Sequence, residues 1–210
     1  MKIKLKLSPQ EKEKLTFVEA LSLISTAAKE NETITLAQIF HILSGKGYAA
    51  LLILFSFPFC LPIQIPGFST PFGLILIFLG LRVAFGKRLW WPKWILNKSF
   101  SSSIVDKLVN KTIYVMQKMQ KFFHPRLQFL TKESHLHRLH GLVVAILAIF
   151  LSLPLPIPFT NMLAALPILS MGLGLLEDDG VFILIAYGLA LVCIGLFLAL
   201  FLFGKSYFAN

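Results

Sequence analysis

Apolar residues along this chain follow two patterns, and each predicts its own kind of element. Five near-continuous apolar blocks occupy 48–66, 71–86, 141–158, 162–176 and 181–203. Outside them, apolar residues recur at helical spacing. From Ser8 to Glu30 the residues Leu15, Val18, Leu21, Leu23, Ile24 and Ala28 line one face, which predicts an amphipathic helix opened by Ser8-Pro9. A second short helix is expected over Thr35–Leu43, stopped by Ser44-Gly45-Lys46-Gly47. From Ser101 to Leu130, Ile104, Leu108, Ile113, Val115, Met116, Met119 and Phe123 alternate with Lys107, Lys111, Lys118 and Lys121. That alternation predicts a basic amphipathic helix lying on an anionic leaflet.

A helix needs about 20 apolar residues to cross a bilayer. Block 181–203 meets this without interruption, whereas 71–86 is short and blocks 48–66 and 141–158 end in proline-rich breaks. The breaks read LPIQIPGFSTP at 61–71 and LPLPIPFTN at 153–161. Proline has no N–H to give to a helix, so both stretches predict helical hairpins with unwound tips, either re-entrant or fully spanning. The breaks also correspond. An offset of 92 residues, the difference between 158 and 66, lays Pro66 on Pro158, Pro62 on Pro154 and Gly80 on Gly172 without a gap. Carried backward, it lays the helix at 101–123 over 9–31. The unit is therefore an amphipathic helix, a connector and a broken hairpin, present twice. Counting crossings makes the repeats parallel, and an additional crossing near Leu89–Leu96 would make them inverted.

Composition strengthens the membrane reading. The chain has 210 residues, 56% hydrophobic and 14% charged, with a mean hydropathy of +0.76, against roughly 45–50% apolar residues in soluble domains. The start, MKIKLKLSPQEKEKL, lacks the apolar core of a signal peptide. The net charge of +10 lies beside the apolar blocks, where membrane topology places it, and no nucleic-acid-reading motif accompanies it. Lys and Arg concentrate in the N-terminal region and in 87–138, which puts both on the cytoplasmic side with the hairpins entering from there. Trp90, Trp91 and Trp94, interleaved with Lys87, Arg88 and Lys93, have the composition of an interfacial anchor. Cys60 and Cys193 lie within apolar blocks and are expected to be small buried residues.

Candidate chemistry gathers at the tips. Pro62, Gln64, Pro66, Gly67, Ser69 and Thr70 in the first, and Pro154, Pro158, Thr160 and Asn161 in the second, offer neutral hydroxyls, amides and freed carbonyls suited to an ion or a hydroxylated solute. The mark of such a site is a polar cavity. The competing role for Ser69, Thr70, Thr160 and Asn161 is helix capping. Arg82 is a charge inside an apolar stretch, a functional position by default, although Lys87 and Arg88 nearby suggest that it reaches the interface. Glu177, Asp178 and Asp179 are candidates for a cation or proton site and equally for an acidic inter-helix turn. His135, His137 and His140 lack a carboxylate or Cys to complete a metal set. No catalytic motif is present, so the expectation is a non-enzyme without cofactor or metal.

Three stretches together, ITLAQIFHILSGKGYAALLILFSFPFCLPIQIPGFSTPFG, HPRLQFLT and LSLPLPIPFTNMLAALPILSMGLGLLEDDG, resemble the ExoD family of bacterial exopolysaccharide-synthesis membrane proteins. The resemblance runs from about Thr16 to about Phe203. It implies the bacterial inner membrane and a link to exopolysaccharide production and alkaline-pH tolerance. The chain departs from the family at Cys60, where a larger residue is expected, and at Phe159, where a small one is common.

The reading is thus an all-α, polytopic membrane protein with a C-terminal transmembrane helix. Its segments are interfacial helices over 1–47, hairpins over 48–86 and 141–176, a basic interfacial region over 87–140 and a span over 181–203. The expected function is transporter-like, for an ion or small solute. The alternatives are an accessory subunit organising polysaccharide synthesis or export, and a transferase acting on lipid-linked sugars. Expected partners are anionic lipid headgroups, a second copy in a homodimer and polysaccharide-synthesis machinery, with no nucleic acid.

Overall fold

The structure is a computed structural model and describes residues 16–43, 46–61, 67–85, 96–119, 125–153 and 159–208. Among the described residues the fold is helical apart from turns, connectors and one small two-stranded ladder. Its helices form two compact units, each drawn from separated stretches of sequence, 1–47 with 90–124 and 48–89 with 125–210.

In the first unit α1 (Phe17–Lys29) is followed by β1 (Thr33–Thr35) and α2 (Leu36–Leu43), and β2 (Ser99–Ser101) leads directly into α5 (Ser102–Met119). The start of α1 is a capping box: Thr16 N–H donates to Glu19 Oε2 at 2.7 Å and Glu19 N–H to Thr16 Oγ1 at 3.3 Å. The expected opening at Ser8-Pro9 lies outside the described residues. Strands β1 and β2 pair antiparallel around Ile34 and Phe100. The first N–H of each following helix also joins this ladder, Leu36 to the Lys98 carbonyl and Ser102 to the Glu32 carbonyl. Two helix N-termini thereby satisfy a donor that has no partner inside the helix. Phe17, Ala20, Leu21, Ile24, Ala27 and Ala28 of α1 and Val105, Val109 and Met116 of α5 are buried, and Ser25 Oγ donates to Asp106 Oδ1 between the two helices.

The second unit holds α3 (Lys46–Ser56) from Tyr48 onward, a 3-10 turn over Phe57–Cys60, α4 (Ser69–Ala84), the short α6 (Phe129–Lys132), α7 (Ser134–Ser152), α8 (Thr160–Glu177) and α9 (Gly180–Phe208). Among the described residues three single helical stretches are long and apolar enough to cross a membrane, His135–Ser152, Thr160–Glu177 and Gly180–Leu202, while α4 is apolar but shorter. The first break follows Cys60 and the second Ser152, 92 residues later.

Small residues bring these helices together. A Cβ on Gly80 would stand 2.7 Å from the Ala145 nitrogen and the Gly141 oxygen, and one on Gly141 would stand 2.5 Å from the Ala84 nitrogen, so α4 and α7 touch backbone to backbone. Such contact requires glycine, as in other small-residue crossings between apolar helices. The counterpart of Gly80, Gly172 on α8, lies against Ala49, Leu52 and Ile53 of α3. Adding 92 to Ala49 and Ile53 gives Gly141 and Ala145. One offset therefore relates the two crossings, and in each the second helix of one hairpin packs on the first helix of the other.

Candidate functional site at the paired helix breaks

Each hairpin's second helix begins just after a residue with left-handed backbone. Gly67 has φ 79° and Phe159 has φ 68°, again 92 residues apart. Glycine adopts this conformation freely, whereas a residue with a Cβ is strained there, which explains why a small residue suits position 159. The residues immediately before α4 and α8 are Phe68 and Phe159, and neither gives a side-chain cap. The capping expected of Ser69, Thr70, Thr160 and Asn161 is therefore displaced, because Ser69 and Thr160 are the first residues within their helices and not the ones before them.

The hydroxyl of Thr70 does something else. Its Oγ1 donates to the Ser152 carbonyl at 3.1 Å, across 82 residues of sequence. Ser152 is the last residue of α7, so no later residue of that helix offers its carbonyl an N–H. Gly73, one turn past Thr70, makes the approach possible: a Cβ there would meet Ser152 Cβ at 2.7 Å. The first turn of α4, which follows the first break, is thus joined to the end of α7, which precedes the second. Four phenylalanines, Phe55, Phe59, Phe68 and Phe72, brace the first break with ring centroids 4.9–6.5 Å apart. Ser69 and Thr160 are buried, and Asn161 is half-buried.

Pro62, Gln64, Pro66, Pro154 and Pro158 lie outside the described residues. A cavity of about 320 Å³ opens beside the second break between α8 and α9, and Thr160 is the one polar residue among those lining it, with Phe159, Leu163, Leu196 and Phe197 on its walls. Apart from Thr160 the lining of this cavity is apolar.

The remaining candidates sit at the far end of the unit. Arg82 is 13 residues along α4 from Ser69, about 20 Å at helical rise, in the last turn of α4 with its guanidinium 5.9 Å from the Phe78 ring centre. Glu177, Asp178 and Asp179 end α8, about 26 Å from Thr160 by the same rise. There Asp179, which is buried, accepts from the Val181 N–H at the start of α9, and the Gly180 N–H donates to the Arg126 carbonyl at 2.7 Å. A Cβ on Gly180 would strike the Leu127 oxygen at 2.6 Å. The EDDG turn and the HPRL segment are thus two halves of one contact. His140, in the sequence only one member of an incomplete metal set, pairs with Tyr187, which sequence reasoning did not single out. The fully buried His140 ring has Nε2 2.8 Å from the Leu130 carbonyl and Nδ1 2.7 Å from Tyr187 Oη. A carbonyl only accepts, so Nε2 carries the proton toward it, and the Tyr187 hydroxyl donates to Nδ1. A histidine with both nitrogens engaged is tying α6, α7 and α9 together. Gly188 and Gly195 of α9 meet nothing within 4 Å, in contrast to Gly80 and Gly172. Cys193 is buried, as expected, and Cys60 is half-buried.

The class that this fold defines is a largely helical protein with helices of membrane-crossing length, in which the helix after one proline-rich break is joined to the helix before the other. The chain belongs to the ExoD family of exopolysaccharide-synthesis proteins, whose family description matches residues 17–199. Protein ExoD of Rhizobium meliloti (strain 1021) is 31% identical over 158 residues, which span 75% of this chain and 66% of that protein. An uncharacterized protein of Synechocystis sp. is 34% identical over 149 residues, 70% of this chain and 69% of its own length. No solved structure matches.

Proposed function

We propose that the chain is a multi-pass protein of the bacterial inner membrane that supports exopolysaccharide production by passing an ion or small solute at its paired breaks, with a part in alkaline pH and ion homeostasis. The observation that carries this reading is the Thr70–Ser152 hydrogen bond. Unwound backbone inside a membrane is tolerated only where it is buried in protein or lines a wet cavity, and this bond joins the helix start after one break to the helix end before the other. Paired interrupted helices in corresponding halves are also where transporters place their substrate. The length of α4 supports a re-entrant first hairpin, because its 16 residues reach about 24 Å, short of the roughly 30 Å hydrocarbon core. The proposal assigns no bond-making step to the chain.

The test is complementation of a deletion strain with Gln64→Ala, Thr70→Val and Asn161→Ala variants expressed at the wild-type level. Secreted polymer and growth at alkaline pH are measured. Loss of either in the Thr70 and Asn161 variants supports the site; wild-type values for both in all three variants remove it.

A further inference from the structure

The face of α5 turned away from α1 carries a pattern that the paired breaks do not use. Ser102, Val105, Val109 and Met116 point into the first unit and are buried. At 100° per residue, the opposite side arranges Lys107, Lys118 and Lys111 within an arc of about 40°, and Ile104, Val115 and Leu108 within the adjoining 40°. All three lysines are exposed. So are the three aliphatic residues, with Ile104 57%, Leu108 61% and Val115 44% accessible. Asp106 is the one acidic residue in α5, and it is turned inward onto the Ser25 hydroxyl. The outer face therefore bears three positive charges, no negative one and a narrow aliphatic stripe alongside.

We infer that this face docks on an anionic lipid surface, the aliphatic stripe entering the headgroup–acyl boundary while the lysines reach phosphates. The two features argue for lipid together and not separately. A nucleic acid would use the lysines and leave Ile104, Leu108 and Val115 in water, and a second protein copy would oppose the lysines to the same lysines. Lysine suits the interface because its methylene stem lies along apolar surface while its ammonium stays hydrated. Basic residues each add attraction to an anionic leaflet. This inference goes beyond the role of the breaks and stands or falls independently of it.

The experiment uses full-length protein, with Cys60 and Cys193 replaced by Ala, in nanodiscs of phosphatidylcholine alone or mixed with phosphatidylglycerol. A polarity-sensitive dye is placed on Leu108→Cys, or on Asn110→Cys as a control that lies about 160° further round the helix. The expected result is a blue-shifted emission at 108, quenched by headgroup-labelled nitroxide lipid, in the anionic discs only. The signal at 110 stays water-like, and the 108 signal is lost in a Lys107→Gln/Lys111→Gln/Lys118→Gln variant. At about 1 kcal/mol per lysine, three neutralisations reduce the docked-to-free ratio roughly a hundredfold. Water-like emission at 108 in both lipids overturns the proposal. So does equal quenching in neutral and anionic discs, or energy transfer between labels on two copies that follows protein concentration and not lipid charge.

Discussion

Substituting Gly80 by Ala probes the crossing that joins the two repeats. The added methyl would stand 2.7 Å from two backbone atoms of α7, whereas ordinary carbon contacts lie at about 3.5–4.0 Å. The helices must therefore separate by close to 1 Å. Backbone cannot rotate away as a side-chain tip can, so the cost falls at the upper part of the overpacking range of about 1–3 kcal/mol. Alanine offsets roughly 0.5–1 kcal/mol of this through its higher helix propensity. The net expectation is a loss of about 1–2 kcal/mol. Gly141→Ala, facing the Ala84 nitrogen at 2.5 Å, is expected to cost at least as much. Gly172→Ala should cost less, because its nearest neighbours at 2.9 and 3.1 Å are side-chain atoms of Ile53 and Leu52. Gly188→Ala, with nothing within 4 Å, lacks the penalty and should gain the propensity term. Unfolding of the purified variants in a denaturing-detergent titration, followed by circular dichroism, gives the order Gly188→Ala, wild type, Gly172→Ala, Gly80→Ala from most to least stable. Equal stability of the Gly80 and Gly188 variants would refute the close α4–α7 contact.

Further expectations can be checked in the same titration. Phe159→Gly removes the side chain from a left-handed residue and, the ring being largely exposed, should stabilise by about 1 kcal/mol; a loss would mean that the ring's contacts outweigh the backbone strain. Tyr48→Phe should be neutral or stabilising, because the buried Tyr48 hydroxyl has no partner among the described residues. Tyr187→Phe leaves His140 Nδ1 buried without a donor and should cost about 1–3 kcal/mol. Thr16 N–H, and then its hydroxyl, hold the Glu19 carboxyl below its ordinary value of 4.5. A lowered carboxyl pKa means stability that is complete above the unfolded value and lost as pH falls through the folded one. The helicity contributed by α1 should therefore decline below about pH 4.5 in the wild type and show no such step in Glu19→Gln.

Much of the architecture is legible along the chain because apolar helices need long apolar runs. Blocks 141–158, 162–176 and 181–203 became α7, α8 and α9, and the proline-rich stretches fell where the helices stop. The 92-residue offset singled out Gly80 and Gly172 together, but not which helix each would touch, since glycine in an apolar run looks alike whether it faces lipid or backbone. Gly188 and Gly195 show the other outcome. The helix at Ser101–Leu130 was legible as amphipathic, yet its apolar residues form two faces. Val105, Val109 and Met116 pack inward while Ile104, Leu108 and Val115 remain outside, and a single periodicity count merges them. Strands of three residues, Thr33–Thr35 and Ser99–Ser101, are too short for alternation to register. Ser152 and Tyr187 sat unnoticed in apolar blocks because their roles depend on partners 82 and 47 residues away.

Thr70, at the start of the helix after the first break, meets Ser152, at the end of the helix before the second. Oxidative cross-linking of a Thr70→Cys/Ser152→Cys variant in native membranes, on a background lacking Cys60 and Cys193, measures this directly. Rapid and near-complete disulfide formation is predicted, with none in a Thr70→Cys/Leu191→Cys control. Absence of the 70–152 cross-link in folded, membrane-inserted protein would contradict the account.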